Sequence, residues 1–344
     1  MKNPIQCAII GYGYMGEVRR MIIEQNRKVV LSMICEPNEE KLNGTQDFTV
    51  VRNPLEVIES NVDVVFICTP NYLIPELTIK CLEHNKHVFC EKPPGRTLKD
   101  IELMQDAEQQ NPGMKLMFGF NHRYHPGIMR SKFIVDSGRM GKIITLRGLY
   151  GKSGGKNFDK SWRNDFKISG GGILLDQGIH MLDLFNYLLG GFTSVKSFLS
   201  NAHWGFDVED NAVVILKNDQ DQLAILQSSA TFWKHMFQLH VILEKGYLKL
   251  EGLLSKTGSY GRETLVIGRR QFEDETEAVG NPLEETIYFD RDLSWKLEMD
   301  QFIDCILNDK LVLESNSTDA YNAMELVHRC YQDSSYQIYK SEVI

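Results

Sequence analysis

The sequence predicts two unlike units: an α/β half on a doubly wound parallel sheet, then an α+β half with an open, mainly antiparallel sheet covered on one face by helices. Three observations predict this. Short apolar runs alternate with helical periodicity through about residue 121, a glycine-rich turn follows the first apolar run directly, and after residue 137 the chain changes to strands in succession with hairpin signals. A chain of 344 residues is too long for one average domain and suits two, here 1–122 and 123–344.

Ile5-Gln6-Cys7-Ala8-Ile9-Ile10 reads as a buried strand that runs into Gly11-Tyr12-Gly13-Tyr14-Met15-Gly16. This is G-x-G-x-x-G in its required context, between a strand and a helix that begins near Met15. The first glycine permits the tight turn, the second lets the backbone approach a pyrophosphate, and the third lets the helix pack closely on the strand. The expected fold is therefore a Rossmann dinucleotide-binding sheet, with the phosphates at the helix N-terminus. A second strand over residues 29–35 delivers Glu36, twenty residues after Gly16. A carboxylate there can accept both ribose hydroxyls and repel a 2′-phosphate, which predicts NAD in preference to NADP.

Residues 62–71 form a third apolar strand that ends in the polar turn Thr69-Pro70-Asn71, at the carboxyl edge where ligands bind. A helix over 76–85 leads to the strand 87–90, which brings Glu91-Lys92-Pro93-Pro94 to the same edge and directs Lys92 towards the nicotinamide end. A helix over 97–110 and a strand over 115–120 complete this half. After a helix over 126–137, strands are expected at 143–150, 193–199, 210–216, 222–230, 237–243 and 247–251, with Glu244-Lys245-Gly246 as a hairpin turn and closing helices at 295–307 and 320–331. A large sheet with one covered face needs a partner for the other, so a homodimer or homotetramer through that sheet is expected.

The chemistry centres on Gly170-Gly171-Gly172, which leads into a helical stretch where Asp176 and His180 stand four apart and so share one face. A bare backbone there can approach a bound ring, and free N–H groups can meet its oxygens, as a site for small polyols requires. Oxidising a secondary alcohol needs a hydride acceptor, which nicotinamide supplies, and a base that titrates near neutrality, which His180 provides. Asp176 can accept a hydroxyl hydrogen bond and orient the reacting carbon. A partly desolvated Lys92 can stabilise a developing alkoxide or itself take the proton, so His180 and Lys92 both stand as the base, with His180 preferred. Asn121, Arg123 and Tyr124 at the domain junction are further substrate candidates. Trp162 and Arg163 are others, since an indole stacks on a sugar face and a guanidinium forks onto an anion. His235 reads as a rim or structural residue.

A net charge of −8 with dispersed basic residues argues against a nucleic-acid partner, and the absence of a basic amphipathic stretch argues against a membrane surface. The first apolar stretch is too short for a secretory core and no run approaches a membrane span, so a cytoplasmic protein is expected. The seven cysteines show neither C-x-x-C nor zinc-ligand spacing and read as small core residues, with no metal expected.

On four pieces in order, the chain resembles the glucose-fructose oxidoreductase, inositol dehydrogenase and MocA group of NAD(P)-dependent oxidoreductases. These are the turn from Gly11 to Gly16, Glu91-Lys92-Pro93, Gly119-Phe120-Asn121-His122-Arg123-Tyr124, and the glycine triplet followed by Asp176 and His180. The resemblance covers nearly the whole chain. It implies Lys92, Asp176 and His180 as the catalytic set, and a dehydrogenase or reductase acting on a sugar, a cyclitol or a nucleotide-linked sugar. Two other classes occur in the group: glycosidases that use tightly held NAD for a transient oxidation, and regulators that keep the dinucleotide site without catalysis. A net change in cofactor absorbance separates the first reading from the glycosidase, and retention of Lys92, Asp176 and His180 argues against the regulator.

Overall fold

The computed structural model describes residues 4–42, 48–155, 157–271, 280–334 and 336. The helices are α1 (Tyr14–Gln25), α2 (Pro54–Ile58), α3 (Ile74–Glu83), α4 (Leu98–Gln110), α5 (Pro126–Asp136), α6 (Phe166–Ser169), α7 (Ile179–Leu189), α8 (Ser294–Leu307) and α9 (Ser317–Asp333).

In the first unit β1 (Ile5–Ile10), β2 (Val29–Cys35), β3 (Thr49–Val51), β4 (Val64–Ile67), β5 (His87–Cys90) and β6 (Leu116–Phe118) form one sheet in the order β3-β2-β1-β4-β5-β6. Every pairing in it is parallel. That is the doubly wound order, and its direction reverses between β1 and β4, which fixes the ligand crevice at the carboxyl ends of those strands. Residues of β1, β4 and β5 are buried almost without exception, because helices cover both faces of a parallel sheet. Thr97 caps α4 by accepting from Asp100 N, and Asp100 returns the bond to the cap, so this helix starts where the sequence places it.

The first unit comprises residues 1–120, 167–170 and 295–324, and the second 121–166, 171–294 and 325–344. The division is thus not the contiguous 1–122 and 123–344. The reason is packing: Phe302 of α8 stands edge-on to Phe89 of β5 at 5.5 Å and to Phe66 of β4 at 6.4 Å. Glu298 of the same helix pairs with Arg19 of α1 at 2.8 Å, where both side chains are fully buried. Arg19 also holds Glu91 at 2.7 Å and lies 4.1 Å from the Phe89 ring centre.

The second unit holds an eight-stranded sheet. Its strands are β7 (Ile143–Gly151), β8 (Ser194–Ser200), β9 (Asn211–Lys217), β10 (Leu223–Ser229), β11 (Met236–Leu243), β12 (Gly246–Glu251), β13 (Glu263–Arg269) and β14 (Glu284–Phe289). Their order is β14-β13-β12-β11-β7-β10-β9-β8. Only β7 and β10 pair in parallel, so the sheet is mainly antiparallel as expected. The alternation in β9 puts Ala212, Val214 and Leu216 inside and Val213, Ile215 and Lys217 outside. Gly148 of β7 leaves room for α7, since a Cβ there would lie 2.4 Å from Met181 Cγ. The opposite face carries Phe198, Val213, Ile215 and Ile242 exposed. Register sets Phe198 beside Val213, which places these apolar side chains in neighbouring rows.

Candidate functional site

In the first unit the glycine turn is built as a cradle. Gly11 has φ +91°, and a Cβ on it would lie 2.6 Å from Cys68 O; a Cβ on Gly16 would lie 2.4 Å from Gly11 O. Both positions therefore exclude side chains and bring β1, the loop after β4 and α1 together. A Cβ on Gly13 would meet nothing within 4 Å, so the turn faces open space at this point. Gly13 is the N-cap of α1 and offers no side-chain acceptor to the first-turn N–H groups. The Thr69 hydroxyl is buried without a hydrogen-bond partner among the described residues. An open glycine cradle beside uncapped helix N–H groups fits a dinucleotide pyrophosphate. Tyr14 is exposed and Met15 half-buried at the rim of this turn, with Pro70 half-buried after Thr69.

Glu36 lies at the end of β2 and is buried, accepting from Tyr12 N at 2.8 Å and from Asn38 N at 3.0 Å. Lys41 Nζ stands 3.4 Å from both carboxylate oxygens. The acid is where a ribose diol needs it, but a cation accompanies it, which weakens its repulsion of a 2′-phosphate. NAD(H) is still expected to bind more tightly than NADP(H), with a narrower gap than a bare carboxylate would give. Lys41→Ala should widen the gap by about 3- to 10-fold and Glu36→Ser should narrow it, both read as Kd by titration calorimetry. Tighter NADPH than NADH binding by the unaltered protein contradicts this assignment.

Asn71 is buried and donates its amide to Ser169 O at 2.7 Å, so it ties residues 167–170 to the first unit. The sequence places Glu91 beside Lys92 among the cofactor-binding candidates. Its carboxylate is buried against Arg19, which gives the side chain a structural role. A Cβ on Gly119 would meet Glu91 Oε2 at 2.8 Å, so the neighbouring strand end also closes on this acid. Lys92 follows, half-buried at the end of β5, and the Lys92–Pro93 bond is cis.

In the second unit the predicted helix carrying Asp176 and His180 begins as a wide π turn over Leu174–Gly178 and becomes α-helical only from Ile179. Such turns widen the helix by one residue and occur at functional sites. Asp176 Oδ2 accepts from Lys152 Nζ at 2.5 Å and from Gln177 Nε2 at 3.2 Å, and Arg163 Nε lies 3.4 Å from Oδ1. His180 is buried, and its ring stacks on that of His122 with centres 3.8 Å apart and planes 21° from parallel. Asn121 Oδ1 lies 3.1 Å from His122 Nδ1, and an amide oxygen can only accept. In the neutral ring Nε2 is then the acceptor for the Tyr150 hydroxyl at 3.0 Å. Burial holds Tyr150 well above the usual phenol range, so it remains a donor. Tyr260 lies against Tyr150 at 5.6 Å between ring centres and His235 stands edge-on to Tyr260 at 4.9 Å. Burial, then the charge of Lys152, lower the His235 pKa and favour its neutral form.

The sequence reads the glycine triplet as letting backbone approach a ligand, and the structure shows what its missing side chains make room for. A Cβ on Gly170 would lie 2.4 Å from Arg96 Cβ, one on Gly171 2.2 Å from the Tyr331 hydroxyl, and one on Gly172 2.0 Å from Glu209 O. The missing side chains make room for protein. Gly171→Val should therefore overpack the core of the second unit at a cost of about 1–3 kcal/mol, seen as a lower melting temperature. An unchanged melting temperature would show that Tyr331 and Leu175 give way without cost.

Arg123, a substrate candidate in the sequence, forms a buried two-pronged pair with Asp183 at 2.9 and 2.6 Å and lies 4.7 Å from the Tyr187 ring centre. Through that pair it clamps α7 to the segment before α5. Tyr124 is also buried, and Asn121 serves His122 and Ser294, the latter through Nδ2 at 3.3 Å. Arg163 stacks over Trp162 at 4.5 Å, so those two candidates form one half-buried element that reaches Asp176. The sequence reading missed His122, Lys152, Tyr150 and Glu209. His122 had a signal, standing between two named candidates; Lys152 had none, since only the sheet brings the end of β7 to the π turn.

Two family models match the chain: "Oxidoreductase family, NAD-binding Rossmann fold" over residues 5–120 and "GFO/IDH/MocA C-terminal domain" over residues 128–249. The levoglucosan dehydrogenase of Pseudarthrobacter phenanthrenivorans is 33% identical over 222 residues, which cover 58% of this chain and 55% of that protein. The matched stretch thus spans little more than half the length of that relative. The myo-inositol 2-dehydrogenase of Thermotoga maritima is 29% identical over 65% of this chain and 68% of its own. Among solved structures, a levoglucosan dehydrogenase in complex with NADH superposes with a TM-score of 0.84 at 20% identity, covering 97% of each chain, and so shares the fold. With both halves matched in order and the doubly wound sheet in place, the chain belongs to the Gfo/Idh/MocA oxidoreductase family, and its first unit is an NAD-binding Rossmann domain.

Proposed function

We propose that this protein is an NAD-dependent dehydrogenase or reductase that interconverts a secondary alcohol and a ketone on a sugar, a cyclitol or a nucleotide-linked sugar. The observation that carries the reading is the arrangement on the wide turn: a carboxylate held by Lys152 and Arg163, followed by an imidazole stacked on a second imidazole. When bound, the nicotinamide supplies the hydride acceptor or donor. Asp176 accepts a substrate hydroxyl hydrogen bond alongside Lys152. His180 takes the hydroxyl proton as the carbinol C–H bond breaks, its electron pair leaves as hydride, and C=O forms; in reduction His180 returns the proton. Lys92 stabilises the developing alkoxide. The names of the two relatives favour sugars and cyclitols.

The remaining cofactor contacts in this reading are Gly11, Gly13, Gly16, the backbone of residues 12, 14 and 15, Glu36, and the turn Thr69-Pro70-Asn71. Assembly into a homodimer or homotetramer would cover Phe198, Val213 and Ile215 on the open face of the sheet. Among the described residues no helix is long and apolar enough to cross a membrane. A cytoplasmic site of action is part of the same proposal.

The test is a screen with NAD and cyclitols, free sugars, uronic acids and sugar nucleotides, read first by thermal shift and then by reduced-nicotinamide absorbance. One class that both stabilises the protein and reduces NAD is the expected result. Binding with no net absorbance change favours a transient-redox glycosidase, and NAD binding without response to any of the four classes favours a regulator.

A further inference from the structure

Glu209 immediately precedes Asp210 and β9, far in sequence from the residues that it holds. Its carboxylate is buried and accepts from Gly172 N at 2.9 Å on Oε2, and on Oε1 from Leu174 N at 2.9 Å and from the Tyr331 hydroxyl at 2.8 Å. Its backbone carbonyl accepts from Ile173 N at 3.1 Å. Three consecutive amides, 172 to 174, therefore end on one residue. The next residues make the π turn that carries Asp176, and His180 follows in α7. No side chain fits at Gly172, where a Cβ would lie 2.0 Å from Glu209 O.

We propose that Glu209 is a positioning residue, whose ionised carboxylate clamps the amides of residues 172–174 and so sets the wide turn that presents Asp176 and His180. The proposal rests on the reading of those two residues as the substrate site. An ionised carboxylate suits the task because both oxygens accept and neither donates. An amide turns a donor towards an amide N–H and breaks that half of the clamp, and a neutral acid accepts more weakly than the carboxylate and so loosens it.

The charge on Glu209 is also adjustable. Burial pushes its pKa up to about 7, against the hydrogen bonds from Leu174, Tyr331 and Gly172 that favour the ionised form. Among the described residues the other titratable or charged groups near it are Tyr331 of α9, Tyr336 beyond that helix, and the adjoining Asp210; Arg163 and Asp176 share a small cavity with it. The clamp is thus formed on the alkaline side of neutrality and released on the acid side.

The test compares Glu209→Gln with the unaltered full chain across pH. Above about pH 7 the variant should lose kcat/KM by about 10-fold or more, since a small misplacement of reacting groups is costly. Its NAD(H) affinity should stay the same. The ratio of the two proteins should shrink as pH falls through about 7, where the native carboxylate is itself neutral; any titration of His180 is common to both and cancels. Tyr331→Phe removes one donor to the ionised form, so the midpoint of the native-type pH response should move upward. A ratio independent of pH, or a lowered melting temperature with unchanged kinetics, overturns the proposal. If no substrate is found, the dehydrogenase reading is what has failed, and the clamp is still tested by amide hydrogen exchange. Exchange at residues 172–174 should quicken in Glu209→Gln, and equal rates in both proteins overturn it.

Discussion

His180→Ala is expected to lower kcat by about 10² or more while leaving NAD(H) affinity nearly unchanged, as loss of a general base requires. Lys92→Ala should do the same through loss of alkoxide stabilisation. The double variant should lose little beyond either single one, because groups that act in one step are not additive. His180→Ala also unstacks His122, which the Asn121 and Tyr150 hydrogen bonds hold in place, so the fold is expected to survive the test. If His180→Ala keeps near-normal turnover across pH, the proton goes to Lys92 and the roles exchange.

The largest effect on stability is expected at Arg19→Met. The guanidinium is fully buried between Glu91 and Glu298, with Phe89 and Trp295 on its faces. Removing it leaves two carboxylates in an apolar interior, a loss of about 3–5 kcal/mol by comparison with other buried pairs broken on one side. Glu298 is already pushed up to about 8 by burial, with Arg19 opposing and Glu91 adding to the rise. A carboxyl whose folded pKa is raised contributes stability that is full below its unfolded value and lost as pH rises through its folded value. The penalty for Arg19→Met should therefore be larger near pH 9 than near pH 6, where protonation of Glu298 relieves the orphaned pair. Thermal or denaturant unfolding at the two pH values checks this, and an equal, small loss at both would sink the idea.

Much of the fold is legible because local signals agree with it. The strand, glycine turn, helix and acid of the first fifty residues, the hairpin at Glu244 and Lys245, and the box at Thr97 are short-range patterns that tertiary packing does not override. The strands β3, β13 and β14 escaped notice for physical reasons. β3 has three residues, and β14 is an edge strand with mostly exposed positions, so neither shows a buried face to read. Site residues were legible as types and less so as roles. Asp176 and His180 stand out in the sequence by their spacing, but that spacing implies an α turn where the backbone widens. Arg123 looked available to a substrate because Asp183 lies sixty residues away in sequence. At the glycines of residues 170–172 a sequence does not reveal that Arg96, Tyr331 and Glu209 stand where side chains would be.

The return of α8 to the first sheet has a consequence for biosynthesis. A ribosome delivers β1 to β6 early, yet Phe302 and Glu298 emerge only after the entire second sheet has been made. Until then the nascent Rossmann half carries Arg19 with one of its two carboxylate partners and an aromatic surface at Phe89 without its cover. The unit whose strands precede the second sheet is therefore completed only after that sheet, and an isolated fragment of residues 1–122 should collapse without acquiring cooperative unfolding. Chaperone demand would then fall on the amino-terminal half for most of the synthesis time, the reverse of the usual order in which leading domains finish first.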